Sequence, residues 1–314
     1  MNSRNNSANH VFFDDDFSFK ELFMIFWKKK FSILLTVALS SIISVFFAIS
    51  LPNKYTSTVL LAPVEQPVIN SNLSQYSSIA NIAGISIPNI NSESDIGYEI
   101  LKSKQFIKSF IDSQDILVPL MASKEWNWES KELVLDEKIY NQKEQIWVRK
   151  VQFPKKQKPS LSEAYDLWFE KVFSSSIDVK TGFITYSIEH HSPIFASQWA
   201  NLLIDDLNNN IRNRDVQEAE LAIAYLNEEA NKTNSEELKD IFYRLIQANT
   251  EKKMLAFSRD EYLFRVIDPA SIAEKKSWPP RLLICIAGFF IGLVLSMTFI
   301  LVRVIWTEEN KPPK

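Results

Sequence analysis

Phe31 to Leu51 reads FSILLTVALSSIISVFFAISL, and Leu282 to Val302 reads LLICIAGFFIGLVLSMTFILV. Neither run carries a charge. At a rise of 1.5 Å per residue, about 21 residues span roughly 30 Å, the thickness of a bilayer's hydrocarbon core. Between the runs lie about 230 residues of ordinary globular character. Two spans leave both termini on one side of a membrane and nearly all the folded mass on the other.

Flanking charge orients the pair. Lys28, Lys29 and Lys30 precede the first run, with Trp27 at interface depth, and Arg303 and Trp306 follow the second. Lys54, Lys275, Lys276 and Arg281 lie on the inner flanks, but charge on a long translocated loop contributes little. The triple lysine therefore predicts cytoplasmic termini. A cleaved signal peptide is the rival reading, since Ala48-Ile49-Ser50 looks weakly like a cleavage site. Against it, signal h-regions run only about 7–15 residues. A leading segment that contains Asp14-Asp15-Asp16 also suits an n-region poorly.

Composition narrows the functions. Net charge is -3, so no basic field draws nucleic acid to the chain. The one cysteine, Cys285, falls inside the second run, leaving the middle without a disulfide. The middle is nevertheless long enough to bury a core. None of the five glycines (Gly84, Gly97, Gly182, Gly288, Gly292) precedes a lysine, which excludes a Walker A loop, and no GxGxxG occurs. His190 and His191 are neighbours, and on a strand they point to opposite faces, so they cannot chelate one ion together. Asp14-Asp15-Asp16 reads as a solvated acidic face. No catalytic constellation, metal site or cofactor is expected, and the chain reads as a non-enzyme.

Along the middle, Lys54–Leu61 (KYTSTVLL) predicts a strand, and Ala62–Asn91 an irregular segment. Ser94–Ser113 has a helical rhythm of apolar residues, and Trp126–Pro159 suggests short helix and loop. Ser160 with Glu163 forms a capping box for a helix through Val172. Ser175–Glu189 is a hairpin turning at Gly182. A long helix starts near Ser192 and reaches about Lys232. Its middle, Asn208–Gln217 (NNNIRNRDVQ), is so polar that it should be solvated or lie against another subunit. Asn234-Ser235 then caps a second helix to about residue 257, giving a helical hairpin. Tyr262–Ile267 is a closing strand that can pair with the first. The fold class expected is α+β: two transmembrane helices flanking an α/β base domain with a long protruding helical hairpin.

With these elements in order, the sequence resembles the Wzz-type chain-length determinants, the polysaccharide co-polymerases of bacterial inner membranes. The resemblance is carried by Asp16-Phe-Ser-Phe-Lys-Glu-Leu, Phe26-Trp27-Lys28, Tyr55-Thr-Ser-Thr, Ile100-Leu-Lys-Ser, Trp199-Ala-Asn-Leu-Leu-Ile, Tyr225-Leu and Ser235-Glu-Glu-Leu. Arg265-Val-Ile-Asp-Pro-Ala270 is the most specific of them. The chain departs from the family after it, with Ala273 where a proline is usual and a Pro279-Pro280 doublet.

The resemblance implies a non-catalytic regulator that sets the modal length of a surface polysaccharide, foremost lipopolysaccharide O-antigen. It implies a ring-like homo-oligomer whose partners are a membrane-embedded polymerase, the growing lipid-linked glycan and the membrane. It implies cytoplasmic termini at 1–30 and 303–314, spans at 31–51 and 282–302, and a periplasmic domain at 52–281 with its long helices at about 192–257. A capsule or exopolysaccharide co-polymerase is a second reading. A fused kinase would need a P-loop and a tyrosine-rich tail, so a separate tyrosine kinase would be its partner. A two-span periplasmic sensor or adaptor is a third, disfavoured because a dozen residues after the second span cannot fold as an output module. Gly288 and Gly292 form a GxxxG for close helix packing, within or between subunits. Arg212 and Arg214, on the polar middle of the long helix, are candidate oligomer contacts. No residue is assigned to sugar binding.

Overall fold

The computed structural model describes residues 26–64 and 93–309. The Asp14–Asp16 run, His10, the motif from Asp16, and most of the irregular Ala62–Asn91 segment lie outside them. In chain order the helices and strands begin α1 (Lys30–Ser50), β1 (Tyr55–Pro63), α2 (Glu93–Lys102), α3 (Lys104–Ser113) and α4 (Leu117–Met121). Two small hairpins follow, β2 (Ser123–Asn127) with β3 (Glu132–Leu135), and β4 (Tyr140–Asn141) with β5 (Ile146–Trp147). Next come α5 (Leu161–Leu167, continued by a π-turn to Val172), β6 (Phe173–Ile177) and β7 (Ile184–His190). The chain ends with α6 (Pro193–Lys232), α7 (Glu236–Ser258), β8 (Phe264–Asp268) and α8 (Arg281–Glu309). Two compact units result: the apolar helices α1 and α8, and the domain Pro52–Trp278.

The domain is an antiparallel sheet, β6-β7-β1-β8, with helices on one face. Alternation assigns the faces. Tyr55, Ser57, Val59 and Leu61 of β1, and Ile184, Tyr186, Ile188 and His190 of β7, are buried. Thr58 and Ser187 on the other face share a hydrogen bond at 2.8 Å. The start of α6 crosses the buried face with Ala196, Trp199, Ala200, Leu203, Ile204 and Leu207. Around Trp168, the rings of Phe110, Phe173 and Trp199 lie 5.7–6.3 Å away, centroid to centroid. Burial of rings this size supplies the largest apolar contribution to the core.

Local chemistry explains most boundaries. Ser160 Oγ accepts from the Glu163 N–H, and Glu163 accepts in return from the Ser160 N–H. Ser192 caps α6, with Pro193 at its first turn, and Ser235 caps α7. Gly182 takes φ +71° at the β6–β7 turn, a region that costs glycine nothing. As expected, β1 pairs antiparallel with the closing strand β8.

Three expectations are corrected. The single rhythm over Ser94–Ser113 is two helices, because Ser103 is extended and its hydroxyl caps α3 through the Phe106 N–H. Trp126–Pro159 holds small hairpins, not helix: Asn127 and Asn141 side chains accept from backbone N–H groups two and three residues on. Lys131 and Gln145 supply the positive φ that a glycine would have advertised.

The third correction is the polar middle of α6. It is neither solvated nor left for another subunit along its inner face. Asn208, 5% exposed, accepts from the Leu263 and Phe264 N–H groups and donates to the Phe264 carbonyl, all at 2.9–3.0 Å. Two turns earlier, Asn201 donates to the Ala270 carbonyl and accepts from its N–H, both at 3.0 Å. Strand β8 is an edge strand, and these amides serve as the peptide groups of a missing neighbour. On the same stripe, Arg212 donates to the Arg259 and Asp260 carbonyls just past α7. Asp215, also buried, accepts from the Tyr262 hydroxyl at 2.9 Å and lies 3.7 Å from the Lys252 ammonium. Positions 201, 208, 212 and 215 fall seven, four and three apart, one helical face. That face reads the chain from 259 to 270.

Asn208→Ala strands two N–H groups and a carbonyl in the interior, and should cost on the order of 3 kcal/mol. Asn208→Asp keeps the acceptor and loses the donor, so its loss should be of similar sign and no larger than that of the alanine. Thermal unfolding of the purified full chain in detergent, followed by circular dichroism, measures both.

Candidate functional site

Among the described residues no three His, Cys, Asp or Glu side chains converge as a metal site. What the structure offers is a set of joining surfaces. The first is the helix pair. Both α1 and α8 are long and apolar enough to cross a membrane, and most of their apolar side chains are exposed, unlike those of a core helix. Ser40 Oγ donates to the Gly288 carbonyl at 2.6 Å, and Ser44 Oγ to the Ile284 carbonyl at 2.8 Å. A Cβ on Gly288 would sit 2.3 Å from Ser44 Cβ, and one on Gly292 2.6 Å from Ser40 Cβ. The GxxxG of α8 therefore lies against an SxxxS of α1 in the same chain, the close approach that small residues permit. Ser40 and Ser44 are residues the sequence reading missed. Two serines four apart in an apolar run were the signal. Lys28, Lys29 and Lys30 are exposed at the start of α1, with the Lys30 ammonium 5.0 Å from the Trp27 ring centroid, and Arg303 is exposed on α8.

The second surface is where the domain begins and ends. The Lys54 N–H donates to the Trp278 carbonyl at 3.0 Å, and the Ser277 N–H returns to the Lys54 carbonyl at 2.9 Å. The Lys54 ammonium stands 2.8 Å from Glu189 and 5.4 Å from the Trp278 ring centroid. Beside it, His191 Nδ1–H donates to the Asn53 carbonyl at 3.0 Å. Trp128 donates through Nε1 to the Tyr55 hydroxyl, fixing the β2–β3 hairpin here. His190 lies deeper, with Nε2–H donating to the Pro119 carbonyl and Nδ1 accepting from the Ser192 N–H. Both bonds suit a neutral ring. Burial lowers its pKa to about 4, and lowers that of His191 as well. These neighbouring histidines serve two different backbone carbonyls.

The third surface is the helical arm. In α6 the only buried residue beyond Ala219 is Ala230, and in α7 the only one is Ala256, among the described residues. The two helices lie against each other, with Lys253 2.7 Å from Glu220. Large apolar side chains stay exposed on both, Leu221 at 72% and Tyr225 at 64% on α6, and Ile241, Leu245 and Met254 on α7. The pairs 221/225 and 241/245 are one turn apart, so each helix presents an apolar stripe. Arg212 and Arg214 stand at the root of this arm. Arg212 spends its guanidinium on its own chain's carbonyls, and Arg214 is half-exposed, 3.6 Å from Asp215.

Residues 15–117 match the Wzz family, described as chain length determinant protein. That match covers about a third of the chain. Residues 232–305 match a second family, described as the G-rich domain on putative tyrosine kinase, although Gly288 and Gly292 are the only glycines in that stretch. No curated protein matches. Among solved structures, a full-length bacterial polysaccharide co-polymerase is similar at 12% identity and TM-score 0.41, covering 93% of this chain and 99% of its own. A fragment of WzzB, a polysaccharide co-polymerase from Salmonella Typhimurium, is similar at 12% identity and TM-score 0.27, over 72% of this chain and 100% of its own.

Neutral burial of His190 gives this chain a defined pH response. Its folded pKa lies below the unfolded value of about 6.5, so the unfolded chain binds the extra proton. The contribution is fully present above pH ~6.5 and is lost as pH falls toward about 4, by on the order of 3 kcal/mol. Stability measured between pH 7 and 4.5 should fall along this course. His190→Gln should flatten that part of the curve.

Proposed function

We propose that the chain is a non-catalytic inner-membrane regulator that sets the modal chain length of a surface polysaccharide, lipopolysaccharide O-antigen in the first instance. The observation that carries this reading is the match of residues 15–117 to the chain length determinant family. The two apolar helices supply the two spans such a protein needs, and Lys28, Lys29, Lys30 and Arg303 favour cytoplasmic ends. Residues 52–281 would then be the periplasmic domain. The exposed apolar stripes on α6 and α7 suit contacts with further copies of the chain, and Arg214 is a candidate for that contact. Paired Gly288 and Gly292 hold the two legs of each copy together. The polymerase that the scaffold serves performs the bond-forming chemistry on the lipid-linked glycan.

The match of residues 232–305 to a domain found on tyrosine kinases favours a second reading, a capsule or exopolysaccharide co-polymerase that works with a separate kinase. Deleting the gene separates the two. The first reading expects the O-antigen ladder to lose its modal cluster while sugar composition stays intact. An unchanged ladder with altered capsule size moves the assignment to the second reading, and no change in either glycan rejects both.

Topology has its own test. Alkaline phosphatase inserted after Thr233, between α6 and α7, should be active in cells, and the same enzyme fused after Trp306 should be inactive.

A further inference from the structure

The two small hairpins and the first turn of α6 enclose a groove of about 620 Å³, with Trp126, Tyr140 and Phe195 in its wall. Each of these rings is half-buried and already held by a neighbour. Trp126 lies edge-on to Trp128 with centroids 6.4 Å apart, and Tyr140 edge-on to Trp147 at 5.1 Å. Phe195 tilts against Trp199 at 5.7 Å. A ligand that stacks on these rings finds them in place, so little ordering is left to be done on binding.

The polar part of the wall is idle within the domain. Gln142 and Gln198 are exposed, as are Lys131, Glu132 and Glu137. None of the five makes a side-chain hydrogen bond or ion pair among the described residues. The Trp126 Nε1–H is buried and has no acceptor there either, a state that costs about 1–3 kcal/mol for an unmet donor. Ring surface is thus set beside amides and carboxylates whose hydrogen-bonding capacity is unused.

An apolar peptide side chain or acyl chain would cover the rings but take water from the amides without replacing it. A polyanion would meet two carboxylates, Glu132 and Glu137, against the single ammonium of Lys131. A neutral sugar suits both parts of the wall. Its C–H face lies flat on an aromatic ring, and each hydroxyl is donor and acceptor at once, matching an amide or a carboxylate. The volume lies within the range of about 300–1,000 Å³ usual for small-ligand sites, which suits a short stretch of a glycan rather than a whole polymer.

We propose that the groove between the β2–β3 hairpin, β4 and the start of α6 binds a short neutral segment of a glycan. The sugar stacks on Trp126, Tyr140 and Phe195, and Gln142, Gln198, Glu132 and Glu137 take its hydroxyls. Which glycan to try rests on the reading of the chain as a regulator of polysaccharide chain length; the groove itself does not.

The test uses the purified full chain in a detergent without a sugar headgroup, with O-polysaccharide released by mild acid from the lipopolysaccharide of the producing strain. Saturation-transfer NMR should show transfer from the protein to the ring C–H protons of the glycan. Gln142→Ala and Gln198→Ala, both at exposed positions, should each weaken binding by about 5-fold. Gln247→Ala, at an exposed amide on α7, should leave binding unchanged. No transfer, or affinity that both groove variants leave unaltered, overturns the site. Stronger transfer to polygalacturonate, or to the peptides of a tryptic casein digest, overturns a neutral glycan as the occupant. The glycan ladder of cells lacking the gene is read separately. Binding with an unchanged ladder keeps the groove and removes the regulatory reading, an altered ladder without binding does the reverse, and failure of both overturns both.

Discussion

The domain closes because asparagine amides on one helix stand in for peptide groups of a strand. Strand β8 comes last in the domain and lies at the sheet's edge, paired on one side with β1. It can stay there only if its other polar groups find partners. Asn208 meets both groups of Phe264, and Asn201 meets both of Ala270. Everything downstream inherits this register. The chain must arrive at Ser277 and Trp278 beside Lys54 for the domain's two ends to meet, and the span from 264 to 270 sets its course. The sequence Arg265–Ala270 is thus bracketed by two amide clamps, a physical reason for a distinctive motif at this place.

The same stripe explains why a helix can be so polar midway along. Asn201, Asn208, Arg212 and Asp215 lie along one face, and each has a partner in the chain that returns from α7. Most of their polar atoms are paired, Arg212 Nε being an exception, so burial costs little. The apolar face below the clamps fills the core with Trp199, Leu203 and Leu207, and the helix then runs on past the sheet. A single 40-residue element belongs in turn to the core, the clamp and the arm.

The signals that read correctly from sequence are those whose chemistry is local. Ser160 with Glu163, Ser192 with Pro193, and Ser235 each mark a helix start by what a side chain does to N–H groups three residues on. Gly182 marks a turn by its backbone freedom. The α1–α8 contact was half legible: Gly288 and Gly292 announce close packing, whereas their partners Ser40 and Ser44 look like ordinary polar interruptions. The misses have one cause. Asparagine at 208 reads as surface because nothing local reveals that a distant backbone will need it. Asparagine at 127 and 141 shapes turns whose positive-φ positions are filled by Lys131 and Gln145, so the usual glycine is missing. Arg149 is similar: its charge is plain, but only the fold shows that it holds the Lys156 and Gln157 carbonyls and pairs with Glu163.

The thin burial along the arm has a thermodynamic corollary. Beyond Ala219 the helices α6 and α7 are held by their own backbone ladders, a few surface ion pairs and one buried alanine, Ala230, while the clamped root shares the cooperativity of the sheet. Opening free energy should therefore fall along the arm from root to tip, with the loop at Thr233 the first part to fray. Whatever comes to cover Leu221, Tyr225, Ile241 and Leu245 would supply much of the arm's order. Rigidity in that half of the long helix is then a property conferred by contact rather than one the isolated chain owns.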